Sequence, residues 1–415
     1  MILGKYSFGI GDRFGQEGES LLAALMKADD AGVEVVPVWN KSHREHTIVA
    51  TTPEAVRKEA EEAAKSMMWE KPYFVDADHI TMKNVDLFIE SSDFFTIDVA
   101  DFIGKPAEPE DIDNFIDGCV SYIDGLTVPG IEGSLVVGEG LVRAIAGKYL
   151  TAVKQAGKIY RHIVSKKGMV NFVTELSTDE ADEPQGPVEL FFILAAAAQQ
   201  EMQIQTIAPK FTGRFNKGVD YAGDVERFAR EFEQDLAIIS YAAQEFALPG
   251  NLKLSVHSGS DKFSIYGAMN RAIRKFDAGL HVKTAGTTWL EELAGLAMSE
   301  GEYLEIAKRI YAEAFSRIDE LTKPYATVID IDRGRLPSPE VVAEWNGKKF
   351  SEALKHDASC GRYNPNFRQI LHVGYKVAAE MGKEFTDAVT DCKRIIGPNV
   401  RENIYQRHIK PIFID

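Results

Sequence analysis

The segment FVDADHI, residues 74–80, starts as an apolar run and ends in side chains that can do chemistry. Asp76, Asp78 and His79 supply carboxylates and an imidazole within a few positions of one another. A strand that only contributes to a core does not usually end in such groups, because burying charge costs free energy. Carboxylates can transfer protons, and imidazole is a common ligand of metal ions. The segment therefore predicts one part of a catalytic or metal-binding site.

Two further histidines lie at or near the ends of apolar runs much later in the chain. His257 ends the run LKLSVH, and His281 lies within the run LHVKTA. Three imidazoles leave open coordination positions on a divalent ion, so we predict that His79, His257 and His281 bind one metal ion. The alternative is a buried, hydrogen-bonded histidine, and it applies most to His281, which lies deeper in its run. His372 is expected to pack within a helix, and HREH, residues 43–46, is expected to form a polar loop.

Two carboxylates are candidates for proton transfer beside this ion. Asp78 directly precedes His79, and Glu175 lies at the end of the apolar run MVNFVTEL. A divalent ion that binds a ketone and a neighbouring hydroxyl stabilises an enediolate, which makes cleavage of a carbon–hydrogen or carbon–carbon bond feasible. Asp78 and Glu175 are therefore predicted to act as acid and base. In the alternative interpretation, one of them binds the metal or orients a histidine.

Cationic residues also follow or end the apolar runs. The formal net charge is −16, so a local group of cations indicates an anionic small molecule with a carboxylate or a phosphate. Each cation alone could instead be solvated or ion-paired, and Lys283 could form a Schiff base, which a metal mechanism makes unnecessary. The predicted substrate-binding residues are Arg13, Lys41, Lys210, Lys262 and Lys283, with Arg44 and Arg214 as further candidates.

The elements that must position these residues are short apolar runs that alternate with amphipathic ones. Strands buried on both faces are apolar nearly throughout, and a βαβα pattern with eight of them predicts a (β/α)8 TIM-type barrel. An open doubly wound sheet is the rival, but no GxGxxG follows the first run, which removes its usual dinucleotide-binding form. The predicted strands are 6–11, 33–38, 72–77, 95–100, 169–176, 204–209, 252–257 and 280–285.

The barrel is expected to occupy residues 1–290 and to carry a helical insertion at 105–167. Residues 291–415 show no further barrel strand and several long helical runs, which predicts a helical C-terminal extension packed on the barrel. The extension could cover the active face or form an oligomer interface, and a homo-oligomer is compatible with the sequence.

The composition excludes several classes of partner. A chain of 415 residues with 45% hydrophobic residues can bury a large core, and its acidity argues against nucleic acid or anionic membranes as partners. The three cysteines form no CxxC motif, which predicts a reducing, cytoplasmic location. We expect no secretory signal, and no apolar run is long enough to cross a bilayer.

Four motifs together resemble the tagaturonate/fructuronate epimerase family: FVDADHI, KFTGRFNKGVDY, LSVHSGSDKFSIY and LHVKTAGTTWLEEL. The resemblance implies a metal-dependent hexuronate epimerase of sugar catabolism that acts at carbon 4 of D-tagaturonate and D-fructuronate. It also implies that Asp78 and Glu175 form the acid/base pair and that His79 and His257 bind the metal, with His281 as our choice for the third ligand. The expected cofactor is a divalent ion such as manganese, zinc, iron, cobalt or nickel, and the expected partner is a small anionic sugar acid.

Two other functions remain open from the sequence. A class II aldolase that acts on a phosphorylated ketose would use the same metal, with phosphate bound by the SGSDKFS loop. A non-catalytic sugar-acid binding protein would bind its ligand without a metal. Trapping of a three-carbon fragment would distinguish the aldolase, and loss of activity on chelation would exclude the binding protein.

Overall fold

The computed structural model describes residues 1–284 and 286–415, and within them eight parallel strands pair in chain order as a closed barrel. The first and last strands close the barrel, with Tyr6 opposite Leu280. The strands are Tyr6–Ile10 (β1), Val35–Ser42 (β2), Phe74–Ile80 (β3), Phe94–Asp98 (β4), Val173–Ser177 (β5), Thr206–Ala208 (β6), Lys253–His257 (β7) and Leu280–Lys283 (β8). The predicted barrel is confirmed, and only Ala285, the end of the eighth predicted strand, lies outside the described residues.

Helices cover the outside of the barrel because apolar strands need a partner on both faces. After β2, the segment 43–46 is not the polar loop that the sequence predicted. It begins a helix, because the Ser42 side chain accepts from the Glu45 amide while Glu45 bonds back to the Ser42 amide. The helices as far as β8 are Gly18–Asp30 (α1), His43–Val49 (α2), Pro53–Ser66 (α3), Pro109–Gly118 (α4), Glu139–Lys167 (α5), Pro187–Gln199 (α6), Val225–Glu245 (α7) and Phe263–Lys275 (α8).

The predicted insertion at 105–167 contains α4 and α5. Helix α5 is 29 residues long and packs against α4, α6 and β4, so it also serves as the crossover helix between β4 and β5. Between the two helices, a short antiparallel bridge joins Leu126 to Leu135.

The chain after β8 is helical, as predicted. The helices are Thr287–Met298 (α9), Gly301–Ser316 (α10), Ile318–Thr322 (α11), Pro339–Ala343 (α12), Gly347–Leu354 (α13), Pro365–Val373 (α14), Tyr375–Met381 (α15), Lys383–Asp391 (α16) and Lys393–Glu402 (α17), followed by a π-helical segment, Asn403–Ile414. This last segment packs against α1 and α8 of the barrel. The boundary predicted after residue 290 falls inside α9, and the division of the chain into two units remains a prediction.

The interior of the barrel is apolar at one end and polar at the other. A separate buried cluster fills the end where the strands begin: Leu3, Val36, Val38, Phe74, Phe94 and Val173. Because alternate residues of a strand share a face, the inward positions that follow on β3, β4 and β5 are Asp76, Thr96 and Glu175. The polar groups therefore collect at the carboxyl ends of the strands, where barrels place their sites. Among the described residues, no helix combines the length and the apolar character that crossing a bilayer requires.

Candidate metal centre at the carboxyl end of the barrel

A β-bulge turns His79 toward the barrel interior beside Asp78. Consecutive residues of a regular strand point to opposite faces, but the pairing of β3 with β4 shifts register between Ala77 and Ile80. His79 has a left-handed backbone, with φ of 54°, and its Nδ1 lies 3.0 Å from Asp78 Oδ1. A non-glycine residue in this conformation costs on the order of 1–3 kcal/mol, and such strain often occurs at functional sites. The imidazole and the carboxylate therefore face the same pocket.

Three side chains from three strand ends form a group that could hold a metal ion. One ligand atom each from His79, Asp179 and His257 lies within 4.8 Å of the others, a spacing close to that of ligands around one ion. His79 Nε2 is 3.6 Å from Asp179 Oδ1, and His257 Nδ1 is 3.0 Å from Asp179 Oδ2. The two imidazole rings have centroids 5.3 Å apart. His79 and His257 are thus close enough to share an ion.

The chemistry of these donors fits a divalent cation. His257 Nδ1 lies beside Asp179 Oδ2, but the geometry of this contact does not suit a hydrogen bond. His257 Nδ1 therefore has no hydrogen-bond partner among the described residues. Burial disfavours the charge on Asp179, but His257 and His79 lower its pKa well below its usual range. Burial also works against protonation of His257, yet Asp179 and Glu175 raise its pKa to about 9. The same negative carboxylates that favour a proton on His257 would attract a metal ion to this position.

Glu175 holds the imidazole of His257 from its other side. His257 Nε2 lies 2.7 Å from Glu175 Oε1, which orients Nδ1 toward Asp179. Metal-binding histidines usually donate their second N–H to a carboxylate in this way. Glu175 is fully buried, and although burial opposes its ionisation, Lys283 and His257 lower its pKa well below its usual range. The geometry therefore resembles the orienting role that the sequence left open.

Lys283 lies at the centre of the site and balances several carboxylates. Its Nζ is 2.7 Å from Asp76 Oδ2, 3.0 Å from Asp78 Oδ1 and 2.9 Å from Glu175 Oε1, and it also donates to Thr96 Oγ1. Burial opposes the charge on Lys283, but these three carboxylates raise its pKa well above its usual range. The amine is therefore a cation and not the free nucleophile that a Schiff base requires.

Asp76 is a site residue to which the sequence assigned no role. It is fully buried, and burial raises its pKa to about 7 although Lys283 opposes the shift. Thr96 Oγ1 lies 2.9 Å from Asp76 Oδ1. The signal was present in FVDADHI, since Asp76 and Asp78 are two positions apart and so share a strand face.

His281, the predicted third ligand, lies outside the three-residue group. It precedes Lys283 by two positions on β8, so its side chain points into the barrel one layer deeper. Its Nδ1 is 2.9 Å from Ser7 Oγ, and its ring packs against Phe94 with centroids 5.3 Å apart. Burial lowers its pKa to about 3, which keeps the ring neutral. Asp179, and not His281, belongs to the group of described residues that could hold an ion with His79 and His257.

Lys210 and Lys262 bind the backbone of loops and not the pocket. Lys262 Nζ donates to the carbonyl oxygens of Asn216 and Val219 at 3.0 and 2.8 Å. Burial lowers the pKa of Lys262 to about 7. Lys210 Nζ donates to the carbonyl oxygens of Ala181 and Asp182, and the further candidate Arg214 pairs with the exposed Asp330.

Arg13 and Lys41 are buried beside the pocket and bonded to the protein. Arg13 Nη1 donates to the carbonyl oxygen of His372 at 3.1 Å, and its guanidinium lies 3.9 Å from the ring centroid of Tyr375. Lys41 Nζ donates to the carbonyl oxygen of Arg13 at 2.6 Å. His372 itself is buried in α14, the packing position that the sequence predicted. Of the five predicted cations, Lys283 is the one that the described structure pairs with the site carboxylates.

Together these features define a (β/α)8-barrel enzyme fold that carries, at the carboxyl ends of its strands, histidine and carboxylate side chains able to hold a metal ion. The chain belongs to the tagaturonate epimerase family, UxaE, which it matches over residues 2–392. It is thus an epimerase by family.

Relatives with known names agree with this assignment. The tagaturonate/fructuronate epimerase of Thermotoga maritima is 29% identical over 383 residues, which cover 89% of this chain and 72% of that protein. A glycerol-bound crystal structure of the fructuronate-tagaturonate epimerase UxaE from Cohnella laeviribosi superposes with a TM-score of 0.81 at 22% identity, over 99% of this chain and 82% of that chain. A second crystal structure of the same enzyme, with two glycerols, gives a TM-score of 0.80. At this identity the structural likeness shows the fold.

Proposed function

We propose that this chain interconverts D-tagaturonate and D-fructuronate by inverting carbon 4, with a divalent ion bound by His79, Asp179 and His257. The family supports the reaction. The observation that supports the metal is the meeting of these three ligand atoms within 4.8 Å, beside a network of buried carboxylates. When bound, the ion would polarise the ketone oxygen of the sugar and favour ionisation of a neighbouring hydroxyl.

Asp78 is the residue that we propose for proton transfer to and from the substrate. It is the more accessible member of the predicted acid/base pair, with 14% of its side chain exposed, whereas the side chain of Glu175 is fully buried. Burial disfavours its charge, but His79 and Lys283 lower its pKa, so Asp78 is an ionised carboxylate that can accept a proton. Lys283, 3.0 Å away, stabilises this charge.

Glu175 and Asp76 have supporting roles in this proposal. Glu175 was predicted as the second member of the acid/base pair, but its bond to His257 suits it to orienting that imidazole. Asp76 has a pKa raised to about 7 by burial and bonds to Lys283, so it can hold a proton within the network.

Two chemical routes lead to inversion at carbon 4. In the first, Asp78 removes the proton bound to carbon 4, the intermediate turns over in the pocket, and Asp78 returns the proton to its opposite face. In the second, Asp78 removes the proton of the carbon-4 hydroxyl, and the bond between carbons 3 and 4 breaks to give an aldehyde at carbon 4 and an enediolate. The aldehyde rotates, the enediolate attacks its other face to form the same bond again, and Asp78 returns the proton to the new hydroxyl. In both routes the carboxylate acts as base and then as acid, so protons balance over the cycle.

The test is incubation of the protein with D-tagaturonate in deuterated water, after separate loading with manganese, zinc, iron, cobalt or nickel, followed by NMR. We expect D-fructuronate to form with at least one metal and to vanish after chelation and in Asp78→Asn. Deuterium at carbon 4 would identify the proton-exchange route, and unlabelled epimer would identify carbon–carbon cleavage. Absence of the epimer with all five metals would refute the proposed function, and full activity after chelation would refute the role of the metal.

A further inference from the structure

The ends of the loop of residues 216–219, between β6 and α7, are joined by hydrogen bonds to a buried lysine, Lys262. Lys262 Nζ lies 3.0 Å from the carbonyl oxygen of Asn216 and 2.8 Å from that of Val219, at the two ends of this loop. Lys262 is fully buried. A buried amine that bonds two carbonyl groups fixes the distance between them, so the ends of the loop cannot separate without leaving polar groups unpaired.

The two residues inside this loop are fixed as well. The Gly218 amide donates to Ser260 Oγ at 2.9 Å, and its carbonyl oxygen accepts from Arg368 Nε at 2.7 Å. The Lys217 amide donates to the carbonyl oxygen of Val328 at 2.8 Å. Hydrogen bonds to the loop that follows β7 and to the C-terminal extension therefore fix the backbone on both sides of the Lys217 side chain.

The ammonium group of Lys217 is different from the backbone that carries it. Within the described chain, its Nζ makes neither a hydrogen bond nor an ion pair, and the residue is partly accessible to solvent. Arg44, in the first turn of α2, is exposed and makes no ion pair within 4.0 Å in the part of the chain that the structure describes, although, against the effect of burial, the charges of Glu180 and Glu45 help to raise its pKa. Both cations lie near the ring of Tyr325, with Lys217 Nζ 5.5 Å and the Arg44 guanidinium 5.0 Å from its centroid.

These two cations repel each other, and although Glu45 and Glu180 act on both of them, neither cation forms an ion pair with a described carboxylate. Burial lowers the pKa of Lys217, and the charges of Arg44 and Arg13 lower it further. The nearby carboxylate of Glu45 is 3.3 Å from Arg13, with which it forms an ion pair. An anion that bound between Lys217 and Arg44 would relieve the repulsion, so the pair has the charge and the access of an anion-binding site.

The position of this pair relates it to the metal ligands. Arg44 follows Ser42, which is opposite Asp78 in the pairing of β2 with β3. Lys217 Nζ is 3.9 Å from the position that a Cβ would take on Gly259, in the loop just after His257. The pair therefore lies beside the segments that carry both proposed histidine ligands, on the side that faces the C-terminal extension.

We propose that Lys217 and Arg44 bind the carboxylate of the sugar acid while its ketone end lies at the metal centre. This inference rests on the proposed function, and it identifies the residues that select an acid over a neutral sugar. It replaces the predicted roles of Lys210 and Lys262, whose amines are occupied by carbonyl oxygens. The aromatic ring of Tyr325 makes cation–π contacts with both Lys217 and Arg44, so the C-terminal extension takes part in forming this subsite.

The test compares Lys217→Met with wild type on two substrates. The first is D-tagaturonate, and the second is the neutral ketohexose in which a hydroxymethyl group replaces the carboxylate. Loss of one charge-assisted hydrogen bond should lower kcat/KM for the acid by about ten- to a hundred-fold. The value for the neutral sugar should change little, Lys217→Arg should recover part of the loss, and Arg44→Gln should show the same selectivity.

The matched control is Lys376→Met, which removes a lysine next to Tyr375 whose amine pairs with Glu320 outside the site. It should leave both substrates unaffected. Calorimetric binding of D-tagaturonate to the same variants separates this inference from the proposed function, because it needs no turnover. If wild type binds the acid without turnover, the epimerase proposal fails and the subsite is still tested. Equal losses for the acid and the neutral sugar, or unchanged affinity of Lys217→Met for the acid, would overturn the inference.

Discussion

Arg368→Met should destabilise the protein strongly, because Arg368 joins the barrel to the C-terminal extension through a buried charge. The guanidinium has no exposed surface, and its Nη2 lies 2.8 Å from Asp261 Oδ2 in the loop after β7. It also donates to the carbonyl oxygens of Leu354 and Gly218 at 2.8 and 2.7 Å. Removing one partner of a buried ion pair costs about 3–5 kcal/mol, since the other charge stays buried. His356, 3.0 Å from Asp261, retains part of the compensation, so we expect a loss near 3 kcal/mol.

The assay is urea denaturation followed by tryptophan fluorescence, with Arg362→Met as the control. Arg362 is also in the C-terminal extension and pairs with Glu352, but 58% of its side chain is exposed. An exposed pair is worth at most about 1 kcal/mol, so the control should change the free energy of unfolding by no more than that. If Arg368→Met loses no more stability than Arg362→Met, the buried ion pair does not stabilise the contact between the barrel and the C-terminal extension.

The same prediction has a pH dependence with a definite sign. Burial disfavours the charge on Asp261, but Arg368, His356 and His408 lower its pKa well below the usual range. A carboxylate whose pKa is lower in the folded state stabilises the fold above its unfolded pKa of about 4, and this contribution disappears as the pH falls. The difference in stability between wild type and Arg368→Met should therefore shrink below about pH 4. A difference that stayed constant down to pH 2 would contradict the assignment to Asp261.

Three further predictions concern the site. Asp179→Asn should weaken metal binding measured by elemental analysis after dialysis, whereas His281→Gln should leave the metal content unchanged; the reverse order would reinstate His281 as a ligand. Glu175→Gln should lower metal affinity about 10–100-fold, as expected when the carboxylate that orients His257 is lost, and an unchanged affinity would contradict that role. Gly218→Ala should lower the free energy of unfolding by on the order of 1–2 kcal/mol, because φ is +78° at this position. It should also raise KM for the sugar acid. An unchanged free energy of unfolding together with an unchanged KM would show that the loop tolerates a side chain.

Much of the fold was predictable because its signals are local. Strands buried on both faces must be apolar along their length, and this marks all eight runs in the sequence. Helical segments are nearly as local: the helical insertion predicted at 105–167 contains the helices Pro109–Gly118 and Glu139–Lys167. The segment 43–46 was predicted wrongly because its polar composition concealed a capping box formed by Ser42 and Glu45.

The sequence could place the site residues at the ends of strands, but it could not predict which of their side chains meet. The sequence by itself determined that His79, His257 and Lys283 lie at the carboxyl ends of a barrel, since strand order and direction follow from the repeating pattern. The tertiary structure alone decided that His281 lies one layer deeper than Lys283, that Asp179 faces the two histidines, and that the Lys217 ammonium makes no ion pair with any described residue. Depth in a barrel and pairing of charges depend on register, bulges and loop packing between distant segments, and these are properties that no single stretch of sequence contains.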